Sequence, residues 1–256
     1  MKKPRTKQRN VIRAPEHDDA DPLDWTPLFR AFKEAFEWSL DVAKQIAREY
    51  PEEVERAKLT WLTRRFRAAF DHAPRSFRAG RFGIGPNTIP ILESLEYEVE
   101  SSVTPSQDWS SAGAPGLDFR AAPSQPYRPD RVAPGVPGES RLWEIPITIR
   151  PRLWSRLPMI GRYSTGRWLR PTWGTATQLV DTARAEIRDA RRRGPLRPVV
   201  LNAMFHNVEV IPGASPYART EADAHAILAR LTALLDFTTR EGIRVVGLAD
   251  VPGLLA

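Results

Sequence analysis

Apolar residues recur at steps of three and four residues in the first part of the chain, a spacing that predicts amphipathic helices. From Asp24 onward, one such stripe comprises Leu28, Phe29, Phe32, Phe36, Leu40, Ala43, Ile46 and Ala47. Pro51 ends that pattern and suits the first turn of a second helix, whose stripe comprises Val54, Leu59, Leu62, Phe66 and Phe70. We therefore expect a helical N-terminal segment over residues 23–73, preceded by a flexible polar arm over residues 1–22.

After Pro74 the pattern changes to short apolar runs that alternate with helical stretches, which is typical of an α/β protein with a mostly parallel sheet. The predicted strands are residues 75–79, 97–103, 141–149, 198–205 and 243–248. The predicted helices are residues 86–95, 175–193 and 221–241. The run 198–205 is the most apolar of the strands, so we expect it to be buried on both faces.

Two long connections interrupt this alternation. Residues 112–140 are rich in proline, and residues 150–174 carry Trp154, Tyr163, Trp168 and Trp173 among basic residues. Connections of this length within a domain are usually functional or disordered, and aromatic residues are rare in disordered segments. We therefore expect the second connection to cover part of a site.

Composition and charge narrow the possible functions. The chain has 256 residues, a formal net charge of +7 and no cysteine, which excludes disulfide scaffolds, thiol nucleophiles and cysteine-based zinc sites. All lysines lie before residue 59 and arginines are spread through the remainder, so the positive charge forms no stripe that would favour nucleic acid as a partner. No apolar run is long enough for a membrane span, and no apolar export signal follows the basic start, so the sequence predicts a cytoplasmic protein.

Candidate chemistry lies at the ends of three predicted strands, where α/β folds place their ligand crevices. Arg78 lies at the end of the first strand, Ser102 in the second, and His206 directly after the run 198–205. The pattern therefore predicts a crevice around Arg78 and His206. A histidine in this position serves either as an acid–base group or as a structural hydrogen-bond partner.

Four blocks of the sequence, in the same order and with similar spacing, resemble polysaccharide deacetylases of the NodB-homology type, a class of carbohydrate esterase. The blocks are Phe77–Gly83, Glu98–Pro105, Leu142–Thr148, and Met204–His206 together with Pro212–Tyr217. The resemblance implies a partial or distorted (β/α)7 barrel over residues 74–256, with the N-terminal helices as an addition. It also implies metal-dependent hydrolysis of N- or O-acetyl groups on a glycan.

Roles for individual residues follow from the same resemblance. It implies that Arg78 orients a catalytic base and that His206 is the general acid. The residues implied or expected to line the substrate pocket are Ser102, Asp108, Trp109, Trp168 and Trp173.

The family's metal-binding motifs are not found in the sequence. In the family, an Asp-Asp pair and a His-x-x-x-His turn on the first two strands supply the base and the metal ligands, usually for zinc. Before Arg78 the histidines are His17 and His72, and His17-Asp18-Asp19 lies in the polar arm with no apolar strand before it. We therefore expect an N-terminally incomplete or altered deacetylase that binds no metal or other cofactor and is impaired or inactive as an isolated chain.

Two classes of function are consistent with these observations. One is the impaired deacetylase; the other is a non-catalytic glycan-binding or envelope-polysaccharide accessory protein, in which Trp154, Trp168 and Trp173 stack on sugars. A glycan is the partner in both. The five predicted strands are too few for the family's barrel, so we expect an open sheet edge that a second copy or a partner chain covers.

Overall fold

The computed structural model describes residues 50–110, 117–151, 166–193 and 198–255. All of them belong to one compact unit, Ala43–Ala256. The predicted helix that starts near Asp24, the segment His17-Asp18-Asp19, and the aromatic residues Trp154 and Tyr163 lie outside the described residues.

The first described helix, α1, spans Glu52–Phe70, with Pro51 before it and acidic residues in its first turn, as the sequence predicts. Its buried face differs from the predicted apolar stripe. Glu55, Leu59 and Thr63 are buried, whereas Leu62 and Phe70 are 49% and 60% exposed. Polar contacts determine this rotation: Glu55 accepts a hydrogen bond from the hydroxyl of Thr88, and the hydroxyls of Thr63 and Tyr97 lie 3.0 Å apart. Burial raises the pKa of the Glu55 carboxyl.

A three-stranded parallel sheet forms the next layer. Strand β1 is Ser76–Phe77, β2 is Val99–Glu100 and β3 is Trp143–Glu144, and they lie side by side in that order. Helix α2, Thr88–Ser94, connects β1 to β2, and its buried face contributes Ile89, Ile91 and Leu92 to the largest apolar core cluster. The carboxyl ends of all three strands therefore lie at one edge of the sheet.

The predicted strand 141–149 is divided into two short strands. β3 ends before Pro146, and β4, Ile149–Arg150, pairs antiparallel with β5, Arg167–Trp168. Proline has no N–H for the ladder, and the division falls at that residue. The flanking amides keep the chain beside β2: Ile145 N–H donates to Glu100 O at 2.9 Å, and Ile147 N–H donates to Val103 O at 3.1 Å.

The two remaining predicted strands are extended segments without a regular ladder among the described residues. In 198–205, Asn202 exchanges hydrogen bonds with Thr148, and Met204 N–H donates to Leu169 O at 3.3 Å. Asn202 and Met204 are buried, but Ala203 and Phe205 are exposed, so the expectation of burial on both faces is wrong. The segment 243–248 leaves Val245 66% exposed and is followed by a short 3₁₀ helix, Leu248–Asp250, and by the last helix, α5, Pro252–Leu255.

Two long helices complete the described fold, and they confirm the helices that the sequence predicted over residues 175–193 and 221–241. Helix α3 spans Ala176–Arg193 and helix α4 spans Glu221–Arg240. They pack on each other through Leu179, Ala183, Leu234 and Phe237. Thr220 and Asp223 form a reciprocal capping box at the start of α4, which explains why the helix begins there.

The described residues therefore form a mixed α/β fold with small sheets and no closed barrel, and they do not establish a (β/α)7 barrel. No described helix has the length and apolar character that a membrane span requires.

Candidate active site

Arg78 directly follows β1, and its partly buried guanidinium group lies beside the end of β2. Its Nε donates to Ser101 O and its Nη2 to Ser101 Oγ, both at 2.9 Å, and Nη2 also donates to Asn202 Oδ1 at 3.2 Å. Burial lowers the pKa of Arg78, while the nearby carboxyl groups of Glu100 and Glu144 raise it. Arg78 thus links β2 to the extended segment that leads to His206.

The carboxyl groups near Arg78 belong to two register partners, Glu100 on β2 and Glu144 on β3. Both residues are fully buried. Glu100 accepts hydrogen bonds from the amide and the hydroxyl of Ser102, and Glu144 Oε1 accepts from the amide of Val103 at 3.1 Å. Glu144 Oε2 is buried and has no hydrogen-bond partner among the described residues. Burial and the charge of Glu100 raise the pKa of Glu144 well above its usual range.

His206 lies at the end of the extended segment, where the chain enters a short 3₁₀ turn, Asn207–Val210. The turn brings Glu209 beneath the imidazole, with 2.7 Å between His206 Nδ1 and Glu209 Oε1. The side chain of His206 is 62% exposed and that of Glu209 is 1% exposed. Because Nδ1 contacts the carboxylate, Nε2 is the ring nitrogen available to a ligand, and it has no hydrogen-bond partner within the described chain.

Glu209 is also the centre of a buried polar cluster. It accepts hydrogen bonds from the Arg170 guanidinium and from the Thr172 hydroxyl, and Arg170 Nε donates to Thr172 Oγ1 at 3.0 Å. Burial raises the pKa of Glu209, but the hydrogen bonds from His206 and Thr172 and the charge of Arg170 outweigh it and hold the pKa below its usual range. The carboxylate is therefore ionised at neutral pH and holds the imidazole in one orientation.

A row of five aromatic rings leads to this cluster, and we call it the aromatic row. Successive ring centroids lie 6.0, 6.3, 5.9 and 6.2 Å apart along Phe82, Trp109, Trp168, Trp173 and Tyr217. The Arg170 guanidinium lies 4.4 Å from the ring centre of Trp173 and 5.1 Å from that of Tyr217. Trp173 and Tyr217 are 45% and 42% exposed, so the row ends in an open aromatic surface. Arg170 joins that surface to the carboxylate that holds His206.

The residues that the sequence analysis assigned to the substrate pocket do not all lie together in the structure. Trp109, Trp168 and Trp173 all belong to the aromatic row. Ser102 is buried, and its hydroxyl accepts a hydrogen bond from the amide of Ala79 at 2.8 Å, which connects β2 to the turn after β1. Asp108 is exposed and pairs with Arg120 at 3.7 Å. Asp108 is therefore adjacent to Trp109 in sequence, but its carboxylate is already paired with the surface residue Arg120.

The side chains of Arg78 and His206 do not bond to each other; the link between them is the segment 202–206, which Arg78 contacts at Asn202. Arg78 bonds Asn202, which precedes His206 by four residues, and no hydrogen bond or ion pair between the two side chains occurs in the described structure. The predicted common crevice therefore stays a prediction, with Asn202 as the link between its two residues.

A divalent metal, which the family resemblance implies, does not fit the residues around His206. The nearby carboxylate, Glu209, is already bound to Arg170, whose positive charge disfavours a second cation there. Among residues 50–110, 117–151, 166–193 and 198–255, no group of three or more histidine, aspartate or glutamate side chains could hold a metal ion.

Glu209, Arg170 and Thr172 are absent from the sequence-based set of site residues. A signal for Glu209 exists in its spacing, since residues three apart meet in one helical turn. Arg170 and Thr172 carry no such signal, because 39 and 37 residues separate them from Glu209.

Comparisons with protein-family models, curated proteins and solved structures give no match for this chain.

Proposed function

We propose that this chain is a polysaccharide deacetylase-like protein that binds an acetylated glycan against Trp173 and Tyr217, with His206 beside the acetyl group. The observation that carries the proposal is the buried Glu209 carboxylate, which holds the exposed imidazole of His206 and is joined through Arg170 to the open end of the aromatic row. Sugar rings stack on exposed aromatic faces because their C–H surfaces are apolar, and aromatic side chains supply large apolar contact areas.

His206 would supply the proton that the leaving group of deacetylation requires. In the hydrolysis, the water oxygen bonds to the acetyl carbon and the water releases a proton to the solvent. The bond from the acetyl carbon to the sugar oxygen or nitrogen breaks, and the leaving atom takes a proton from His206 Nε2, which the solvent then reprotonates. Glu209 stabilises the protonated imidazole through Nδ1. The products are acetate and a free hydroxyl or amino group on the glycan.

A second candidate is a non-catalytic glycan-binding protein. The pairing of Glu209 with Arg170 favours it, because this pairing occupies the carboxylate that would otherwise be available beside His206. Such a protein binds the same glycan on the same aromatic surface and releases no acetate.

Calorimetric titration with N-acetylated chito-oligosaccharide and with acetylated xylo-oligosaccharide, followed by an acetate assay, tests both candidates. We expect Trp173→Ala and Tyr217→Ala each to weaken glycan binding about tenfold, and the matched control Trp61→Ala, which removes an exposed tryptophan on α1, to leave it unchanged. The absence of binding to either glycan would overturn the proposal.

The acetate assay separates the two candidates. Acetate release that His206→Ala abolishes and that the exposed-histidine control His225→Ala retains supports the deacetylase. Binding without acetate release, in the wild type and in both variants, supports the non-catalytic protein.

A further inference from the structure

The contact between His206 and Glu209 determines which ring nitrogen of the neutral imidazole carries the hydrogen. Nδ1 lies 2.7 Å from Glu209 Oε1, and Glu209 also accepts hydrogen bonds from the Arg170 guanidinium and the Thr172 hydroxyl. The guanidinium keeps this carboxyl group ionised, and an ionised carboxylate only accepts hydrogen bonds. Nδ1 is therefore the nitrogen that carries the hydrogen, and the lone pair of the neutral ring lies on Nε2.

The imidazole is held in place, and its lone pair is accessible. His206 and Glu209 are bonded twice across one turn, because Glu209 N–H also donates to His206 O at 2.9 Å. The side chain of His206 is 62% exposed, and Nε2 makes no hydrogen bond within the described chain. A ring that is fixed through Nδ1 and open at Nε2 has the arrangement of a general base.

Nε2 is the proton acceptor that this cluster offers to a ligand. Among the described residues, Glu209 is the only carboxylate that pairs with His206 or with Arg170, and its side chain is 1% exposed. Water that attacks a bound acetyl group cannot reach this carboxylate unless the ion pair with Arg170 breaks. The exposed Nε2 atom is therefore better placed than the carboxylate to accept the proton of that water.

We propose that His206 is the general base of the hydrolysis as well as its acid, and that the substrate class is O-acetyl esters. The proposal rests on the proposed function, since it concerns the same site. Nε2, in place of the solvent, takes a proton from water as the water oxygen bonds to the acetyl carbon. The imidazolium ion, stabilised by Glu209, then gives that proton to the sugar oxygen as the bond between this oxygen and the acetyl carbon breaks. The products are acetic acid, which ionises to acetate, a free sugar hydroxyl and the neutral imidazole.

The restriction to esters follows from the reactivity of the acetyl carbon. In an N-acetyl group, amide resonance gives the C–N bond partial double-bond character and lowers the reactivity of the carbonyl towards water. A metal ion that polarises the carbonyl offsets this, but the charge of Arg170 beside Glu209 does not suit a metal ion. An ester carbonyl has weaker resonance, so water activated by an imidazole attacks it more readily.

The test uses 4-nitrophenyl acetate, because 4-nitrophenolate leaves as a stable anion and needs no proton from an acid. Removal of a base therefore slows this reaction, whereas removal of a group that acts only as an acid does not. We expect His206→Ala to lower the turnover of the full chain about 100-fold, and the exposed-histidine control His225→Ala to retain it. The wild-type reaction should be slower in heavy water, since a proton of water moves to Nε2, whereas direct attack of the imidazole on the ester moves no such proton.

Nitrogen NMR of the wild-type chain tests the tautomer without a variant that could unfold. With the His206 signals assigned from their loss in His206→Ala, the neutral ring should carry its hydrogen on Nδ1. The opposite tautomer, equal rates in water and heavy water, or an unchanged rate in His206→Ala would overturn the base role.

The glycan substrates separate this inference from the proposed function. We expect acetate release from acetylated xylo-oligosaccharide and none from N-acetylated chito-oligosaccharide, and equal rates for the two would overturn the restriction to esters. If His206→Ala abolished acetate release from a glycan but left the hydrolysis of 4-nitrophenyl acetate unchanged, the base role would be overturned and the proposed function would stand. Failure of both glycans to bind would overturn the proposed function, whereas the reaction of 4-nitrophenyl acetate reports on the base by itself.

Discussion

Glu100 and Glu144 lie opposite each other on adjacent parallel strands, and both carboxyl groups are fully buried. Two carboxylates in such a position repel each other, so the pair is stable with one proton bound. Of the two carboxyl groups, Glu144 is the one whose pKa is raised, by burial and by the charge of Glu100, so we assign the proton of the pair to Glu144. Arg78 offsets the remaining negative charge.

The first prediction concerns the pH dependence of stability. The pKa of Glu144 is raised in the folded state, so the folded chain binds more protons than the unfolded chain above about pH 4.5. The free energy of unfolding should therefore fall as the pH rises towards the folded pKa of Glu144, by up to about 1.4 kcal/mol per pH unit. The phenol of Tyr127, which also lies near Glu144, has a pKa raised by burial and stays neutral in this range.

Glu144→Gln mimics the protonated carboxyl group and should therefore remove this decrease of the unfolding free energy with rising pH. Urea unfolding at pH 5, 6, 7 and 8 measures the effect, and Glu139→Gln, at an exposed glutamate, is the control. A Glu144→Gln chain that is less stable than the wild type at pH 8 would show that the pair is ionised in the fold.

The second prediction concerns Arg78. Arg78→Met removes three partly buried hydrogen bonds and a guanidinium group whose charge acts on the carboxyl pair. We expect the free energy of unfolding to fall by about 2–4 kcal/mol. Arg75→Met, which removes a surface pair with Glu98, should have a clearly smaller effect, and equal effects would contradict the assignment.

The third prediction concerns the cluster around Glu209. Its pKa is depressed in the folded state, so its contribution to stability is present above about pH 4.5 and is lost as the pH falls through the folded pKa. Glu209→Gln leaves Arg170 buried without an anionic partner and should cost about 3–5 kcal/mol at pH 7. Thermal unfolding from pH 3 to pH 7 measures the effect: the variant should lose less stability on acidification than the wild type. A loss of stability on acidification equal to that of the wild type would contradict the role given to Glu209.

The fourth prediction concerns the proline-rich connection. A Cβ on Gly138 would lie 2.5 Å from Asp130 Cα and 2.7 Å from Asp130 N, where isolated bridges such as Pro129–Pro137 hold the loop. Gly138→Ala should therefore destabilise the chain by about 1–3 kcal/mol. Gly80→Ala, where a Cβ meets nothing within 4 Å, is the control, and equal thermal midpoints for the two variants would contradict this packing.

Local patterns in the sequence determined the helices. The four helices over Glu52–Phe70, Thr88–Ser94, Ala176–Arg193 and Glu221–Arg240 follow from apolar spacing and from capping residues, which act within one or two turns. The break in the strand 141–149 falls at a proline, a residue that lacks the amide a ladder needs. His206 was also predicted as a site residue from the sequence, because it follows a recognisable strand-like run.

Only the tertiary structure decided which polar groups meet. The apolar stripe of α1 predicted burial of Leu62 and Phe70, yet the contact of Glu55 with Thr88 turns a different face inward. The pairing of Glu100 with Glu144 depends on strand register, and the contact of Arg170 with Glu209 spans 39 residues. Desolvation makes the energy of such charged groups depend on their exact neighbours, and neighbours distant in sequence are brought together only by the folded chain.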